Sequence, residues 1–130
     1  MNNNLIKFLV QLKNASLLRK ETTVFVCNFL HLKLLKILYL EGLIQSFCIG
    51  KQKKKDSFVI KVTLRYFYNK SILKNLKILS KPSHLKYIKY SDICKISDRK
   101  FVFFLSTSKG ILTSLECKKK RIGGKLLFMC

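Results

Sequence analysis

Three hydroxyl side chains, a lysine and a glycine directly follow the apolar run Phe101–Leu105 near the end of this 130-residue chain. The cluster consists of Ser106, Thr107, Ser108, Lys109 and Gly110. Hydroxyl groups donate and accept hydrogen bonds, the lysine carries a fixed positive charge, and a glycine lets a neighbouring backbone approach closely. At the end of a rigid strand, such groups can contact phosphates, sugars or exposed bases. A polar hairpin end without a ligand explains these ten residues equally well.

The net charge favours a polyanionic partner. Lys and Arg number 27 against 6 Asp and Glu, a formal charge of +21, yet 48% of the residues are hydrophobic. A chain of this length and apolar content can bury a core, which excludes a disordered basic tail. Because the charge repels itself, nucleic acid is the first candidate partner and an anionic membrane surface the second. Lysines and Glu41 interrupt the most apolar segment, residues 30–44, so a membrane span is not predicted.

Residues suited to catalysis or metal binding are few. The chain has 2 His and 6 acidic residues, scattered without the pairing that acid–base chemistry needs. Its 5 Cys are odd in number and include no Cys-x-x-Cys pair, and Cys27 with His31 supplies only two ligands. Glycine-rich phosphate-binding loops are also absent from the sequence. We predict no enzymatic activity, cofactor, metal site or small-molecule substrate, and we expect most thiols to be buried and reduced.

The first half of the chain predicts the order α-β-α-β-β. Apolar residues recur at helical spacing twice, and three segments are rich in β-branched and aromatic residues. Asn4 is a candidate N-cap of the first helix and Gly42 a candidate C-cap of the second. The predicted elements are a helix over 5–15, a strand over 22–28, a helix over 30–41, and strands over 43–49 and 57–67. The lysine-rich connector between the last two strands is either a solvated hairpin tip or a contact to an RNA backbone.

The second half predicts mostly antiparallel strands with a short helix. Its first strand is placed at 72–79, residues 91–100 are a polar connector, residues 111–121 are a short helix or irregular turn, and Gly123-Gly124 introduces the last strand. Lys86 and Tyr87 lie where basic and aromatic residues alternate, a pattern that suits base stacking and also ordinary packing. The polar segment from Tyr68 to Ser71 is the candidate boundary. We therefore predict an α+β protein of two small α/β domains, residues 1–68 and 69–130.

A family resemblance rests on these segments. The run STSKGILT at 106–113, followed by Gly123-Gly124, resembles the C-terminal signature of the bacterial-type small-subunit ribosomal protein S-eight family. Weaker similarities occur in the same order at 12–15, at 37–44, and at Ser80-Lys81-Pro82 with Tyr87. Together they span nearly the whole chain.

The resemblance implies a two-domain protein that binds a stem in the central domain of small-subunit rRNA, beside neighbouring ribosomal proteins, and supports assembly for translation. Carried over by position, Ser106, Thr107 and Ser108 contact bases and sugars, Lys109 lies near phosphate, and Gly110 keeps the turn open. The other residues expected to contact RNA are Lys81, Lys86 and Tyr87 in the C-terminal domain, and Lys7, Lys13 and Arg19 in the N-terminal domain.

The sequence departs from the family pattern at three places. Ser83 replaces a glycine, Ser114-Leu115 replaces an Asp-Arg pair, and Lys125 replaces a glutamate. The last two departures leave open how the following helix is capped and what the last strand contacts.

Composition bears on the compartment. The chain has one alanine and one proline and is rich in Lys, Ile, Asn and Phe, as expected for an AT-rich genome. With the extra lysines, this favours a mitochondrial ribosome over a plastid or an AT-rich bacterial cytoplasm. The alternative functions are a general RNA- or DNA-binding module outside the ribosome and a basic membrane-surface protein.

Overall fold

Helices alternate with mostly antiparallel strands in the computed structural model, which describes residues 3–81, 83–96 and 100–130. This confirms the predicted α+β class. The chain divides into two compact units, residues 7–74 and residues 75–130 with the first turn of the first helix. The domain boundary after residue 68 remains a prediction.

The unit of residues 7–74 has the predicted order α-β-α-β-β. Its main elements are α1 (Asn3–Leu17), β1 (Thr22–Cys27), α2 (Phe29–Leu40), β2 (Ile44–Lys54) and β3 (Ser57–Leu64). The strands form an antiparallel sheet in the order β1-β3-β2. Buried leucines of the two helices, among them Leu9, Leu12, Leu34 and Leu38, share the core with Ile60 and Val62 of the central strand. A short hairpin, β4 (Tyr66–Phe67) and β5 (Lys70–Ser71), follows.

The ends of the first two helices were only partly predicted. Gly42 follows the C-cap of α2 with φ +74°, and the N–H groups of Gly42 and Leu43 donate to the carbonyls of Tyr39 and Leu38, which is the Schellman motif expected of a C-terminal glycine. Asn4 is not an N-cap, because α1 already includes Asn3. This helix also runs past the predicted end to Leu17, since Ala15 and Ser16 continue its buried face.

The unit of residues 75–130 is built on a five-stranded sheet. Its elements are β6 (Lys77–Ile78), β7 (Lys86–Ile88), α3 (Tyr90–Lys95), β8 (Phe103–Thr107), β9 (Gly110–Thr113), α4 (Ser114–Lys120) and β10 (Gly124–Met129). The order is β6-β10-β8-β9, and β7 also pairs with β10. One face of the sheet packs against α3 and α4, through a cluster formed by Ile93, Leu105, Leu112, Cys117 and Leu126.

Two elements predicted for residues 72–100 were wrong, and the short helix or irregular turn predicted over 111–121 is a helix only from Ser114, after β9. Residues 72–79 form a 3-10 helix (Ile72–Asn75) and the two-residue strand β6 rather than one strand, because the buried Leu73 and Leu76 are three residues apart. The predicted polar connector contains α3, which is too short for a periodic pattern and has Ile93 as its buried residue. Residues 97–99 of that connector, and Pro82 of the Ser80-Lys81-Pro82 segment, lie outside the described residues.

Candidate nucleic-acid interface

The hydroxyl cluster forms the tight end of the β8–β9 hairpin. Thr107 pairs with Gly110, and Ser108 and Lys109 are the two loop residues. The Thr107 hydroxyl donates to the Gly110 carbonyl at 2.9 Å and accepts the Lys109 N–H at 3.2 Å. Gly110 has φ +102°, whereas neither loop residue has a positive φ, so this is the hairpin class in which the glycine closes a turn of ordinary residues. Thr107 therefore holds the turn in shape.

Ser106 and Ser108 differ from Thr107 in their hydrogen bonding. Within the described residues, neither hydroxyl makes a hydrogen bond to the protein, and Ser108 is exposed while Ser106 is half-buried. Each hydroxyl is thus available as both donor and acceptor for an external group.

Gly110 is required by its backbone conformation. A Cβ built on it would meet no heavy atom within 4 Å, so the predicted close approach of a neighbouring protein backbone is not present. The φ of Gly110 explains why this position is a glycine, because a residue with a side chain would be strained at +102°.

Strand pairing places a tyrosine and a lysine beside Ser106. Lys125 of β10 pairs with Ser106 on one side and with Tyr87 of β7 on the other, so the three form a row across the sheet. Tyr87 is 66% exposed and Lys125 is exposed. A groove of about 600 Å³ lies along this row. It is lined by Tyr87, Ser106, Thr107, Ser108, Arg121, Ile122, Gly123, Gly124 and Lys125.

The glycine pair lets three strands meet at this groove. A Cβ on Gly124 would lie 2.5 Å from the Ser106 carbonyl oxygen and 2.8 Å from Cγ2 of Thr107. A Cβ on Gly123 would lie 2.7 Å from the Ile88 carbonyl oxygen. Such distances are shorter than van der Waals contact, so only glycine allows β10 to pass between β7 and β8 here. The glycine pair thereby fixes how closely Tyr87 and Ser106 approach Lys125.

Arg121 was not among the residues predicted from the sequence. It follows α4 with φ 55° and ψ 47°, the left-handed conformation that glycine usually supplies at a helix end. The N–H of Ile122 donates to the Cys117 carbonyl and closes the Schellman-type end of the helix. This backbone reversal places Arg121, which is exposed, among the residues that line the groove.

Comparison with known proteins identifies the chain at the family level. A family model described as ribosomal protein S8 matches residues 3–130. The chain belongs to the ribosomal protein S8 family. It is 37% identical to small ribosomal subunit protein uS8c of Bigelowiella natans, with 98% of each chain covered. It is 31% identical to the uS8c protein of Marchantia polymorpha (97% of this chain, 96% of the relative) and 33% identical to the uS8 protein of Acholeplasma laidlawii (98% and 95%). The resemblance inferred from the sequence is confirmed.

The helix after the β8–β9 hairpin is capped, and the last strand, β10, pairs with β7 and β8. Thr113 is the N-cap of α4: its hydroxyl accepts the Glu116 N–H at 3.4 Å, and the Glu116 carboxylate accepts the Thr113 N–H at 3.2 Å. This is a capping box, so Ser114 and Leu115 do not interrupt the cap. Lys125 pairs with both neighbouring strands and adds a positive charge between Tyr87 and Ser106.

Of the predicted RNA contacts Lys81, Lys86 and Tyr87, only Tyr87 lies at the groove. Lys86 pairs with Leu126, whose side chain is buried, whereas Tyr87 pairs with Lys125. Because successive strand residues point to opposite faces, Lys86 lies on the other face from the groove. Lys81 is bridged to His84 by two backbone hydrogen bonds of 3.0 and 3.1 Å and does not line the groove.

Ser80, from the same family motif, has a structural role. It is fully buried, its hydroxyl donates to the Leu126 carbonyl, and the Lys86 N–H donates back to it at 3.3 Å. The hydroxyl therefore ties the start of β7 to β10 and supports the position of Tyr87 one residue later.

The three cations predicted in the first half of the chain belong to the other unit. Lys7 is exposed and Lys13 is half-buried on α1, about 120° apart around the helix axis. Arg19 is exposed beyond the helix end with φ 57°. They therefore do not form one continuous patch along the helix.

The buried histidine and the buried cysteines of the described residues are part of the packed interior. His31 accepts the Asn28 N–H through Nδ1 at 3.1 Å and packs on Phe8, and no three potential ligands cluster within those residues. Burial raises the pKa of the Cys27 and Cys130 thiols to about 11. Cys48 and Cys94 are exposed, so the expectation of mostly buried thiols was only partly right.

No helix within the described residues combines the length and apolar character needed to cross a bilayer.

Proposed function

We propose that this chain is a structural constituent of the small ribosomal subunit that binds the central domain of small-subunit rRNA and supports its assembly for translation, beside neighbouring small-subunit proteins. The observation that carries the proposal is the row of Tyr87, Lys125 and Ser106, with Arg121 and Ser108 on the same groove. It combines an exposed ring, two cations and two available hydroxyls in one place. Family membership over residues 3–130 supports the ribosomal setting.

Each group suits a different part of a folded RNA. The Ser106 and Ser108 hydroxyls can donate to or accept from base edges and ribose 2′-hydroxyls, which is how irregular RNA is distinguished from DNA and from regular stems. The Tyr87 ring suits stacking on an unpaired base. Arg121, Lys125 and Lys109 supply charge to phosphates, with affinity but little sequence preference. We propose no catalytic role for the chain.

Within the same proposal, the compartment is an organelle, the mitochondrion first. An amino-acid composition typical of an AT-rich genome, together with the excess of lysine, supports the mitochondrion. Relatives named uS8c and bacterial relatives named uS8 keep a plastid and an AT-rich bacterial cytoplasm as alternatives. Detection of the protein on small subunits purified from each organelle decides between them.

The functional test measures the RNA preference of the full-length chain. Its affinity is compared between small-subunit rRNA transcribed from the same genome and an unrelated structured RNA of equal length, over a range of salt. We expect the preference for small-subunit rRNA to grow as salt rises, because charge contacts weaken and hydrogen bonds remain. Equal affinity for both RNAs at every salt concentration would support a general nucleic-acid-binding module, and binding to anionic vesicles alone would support a membrane-surface protein.

Replacing Arg121 with glycine is expected to make the protein more stable but to weaken its binding to rRNA. Glycine adopts the left-handed conformation freely, so Arg121→Gly should raise the free energy of unfolding by about 1 kcal/mol. The same change removes a cation from the groove, so rRNA affinity should fall and the salt dependence should flatten by about one unit of slope. Urea unfolding and filter binding measure the two effects.

The matched control is Lys119→Ala, which removes an exposed charge from α4, the helix that Arg121 follows, outside the groove. It should change rRNA affinity less than Arg121→Gly. Equal losses in the two variants would show that Arg121 has no special position at the RNA.

A further inference from the structure

The β4–β5 hairpin presents two aromatic rings to solvent. Tyr66 pairs with Ser71 and Phe67 with Lys70, which leaves Tyr68 and Asn69 as the two loop residues. Phe67 is 63% exposed and Tyr68 is 83% exposed. Their ring centroids are 4.4 Å apart at 76°, an edge-to-face contact. The two rings thus support each other rather than the core.

The backbone at this tip is unfavourable for its first residue. Tyr68 has φ +48° and Asn69 has φ +61°. Two-residue hairpins with positive φ at both positions strongly prefer Asn and Gly, whereas aromatic residues seldom adopt this conformation. Asn69 follows the preference and Tyr68 opposes it. A strained, exposed aromatic residue needs an explanation other than folding.

Basic residues lie beside the tip. Arg19, Tyr66 and Asn69 line a pocket of about 180 Å³ beside the loop. The Tyr66 hydroxyl donates to the Lys20 carbonyl at 2.6 Å, which brings the segment after α1 against the hairpin, and Lys70 is exposed opposite Phe67. The segment after α1 contains one acidic residue, Glu21, next to Arg19 and Lys20. With Lys70, the basic residues named here outnumber it.

We infer that the Phe67–Tyr68 tip is a second RNA contact, at which an unpaired base stacks on the aromatic rings while Arg19 and Lys70 meet the adjoining phosphates. Aromatic rings among cations are the arrangement used to hold unpaired nucleotides. A protein partner fits the tip less well. Its surface would have to accommodate two exposed aromatic rings and the neighbouring cations at the same place. The inference rests on the proposed function, since it assumes that small-subunit rRNA is the partner.

The test uses Tyr68→Asn in the full-length chain. Asparagine keeps the turn and accepts its positive φ, so the melting temperature should stay the same or rise. Loss of the stacking ring should weaken binding to small-subunit rRNA about tenfold, with the slope of affinity against salt unchanged because no charge is removed. A purely structural tyrosine would instead lower the melting temperature, and binding would then fall only with folding.

The control is Tyr39→Asn, which removes a half-exposed tyrosine of α2 whose ring contacts Phe47. It should leave rRNA affinity unchanged. Wild-type affinity of Tyr68→Asn overturns the inference, and so does an equal loss in Tyr39→Asn. The proposed function fails separately, if the wild-type chain itself does not prefer small-subunit rRNA. Loss of a neighbouring protein from subunits that carry Tyr68→Asn, with rRNA affinity unchanged, would assign the tip to a protein partner.

Discussion

Replacing Gly124 with valine is expected to destabilise the protein by about 3 kcal/mol or more and to remove its preference for small-subunit rRNA. The first atom of the new side chain would lie 2.5 Å from the Ser106 carbonyl oxygen and 2.8 Å from Thr107. Since the first of these atoms is backbone, β8 and β10 must move apart. The movement displaces Ser106 from Lys125, so stability and recognition fall together. Urea unfolding and rRNA binding below the new melting temperature measure both.

Gly110→Ala provides a matched comparison. The added methyl group meets no heavy atom within 4 Å, and the cost comes only from the φ of +102°. We expect a loss of about 1–2 kcal/mol confined to the hairpin. If Gly124→Val were no more destabilising than Gly110→Ala, close packing of β10 against β8 would not be what the glycine provides.

The double variant Ser106→Ala/Ser108→Ala should lose affinity for small-subunit rRNA without losing stability. Neither hydroxyl bonds to the protein in the described structure, so their removal leaves no unsatisfied partner in the fold. Two hydrogen bonds to RNA contribute about 1–3 kcal/mol, which is roughly fivefold to a hundredfold in affinity. Binding to an unrelated RNA should hardly change, because charge dominates there. Competition binding with both RNAs, together with thermal unfolding, provides the measurement.

Thr107→Val is the contrasting variant. It keeps the shape of the side chain but removes the hydroxyl that bonds to Gly110 and Lys109. We expect lower stability and altered binding together. Unchanged selectivity in the Ser106→Ala/Ser108→Ala variant would mean that the groove contributes charge alone.

The sequence predicts the parts of this fold that local chemistry determines. Helical spacing located α1 and α2, and Gly42 marked the end of α2 because its φ is positive. The capping box of Thr113 and Glu116 was also readable from the spacing Thr-x-x-Glu, although it was missed. The six-residue helix α3 lacked any such signal.

The candidate site depends on pairing between distant segments, which no local pattern gives. STSKG was recognisable as a turn, but the row of Tyr87, Lys125 and Ser106 joins three strands from separate parts of the chain. Arg121 was missed because an arginine after a lysine run suggests a solvated face, and only its left-handed backbone turns it to the groove. Lys86 was grouped with Tyr87, yet alternation along β7 puts the two on opposite faces.

The central claim, that the groove beside Ser106 faces rRNA in the assembled particle, can be tested with one crosslink. A photoreactive phenylalanine analogue replaces Tyr87, whose exposed ring leaves room for it, and the protein is assembled into small subunits and irradiated. Sequencing then identifies the crosslinked partner. We predict crosslinks to a small cluster of nucleotides in the central domain of small-subunit rRNA. Crosslinks to a protein, or none above those of an analogue placed at the control position Tyr39, would contradict it.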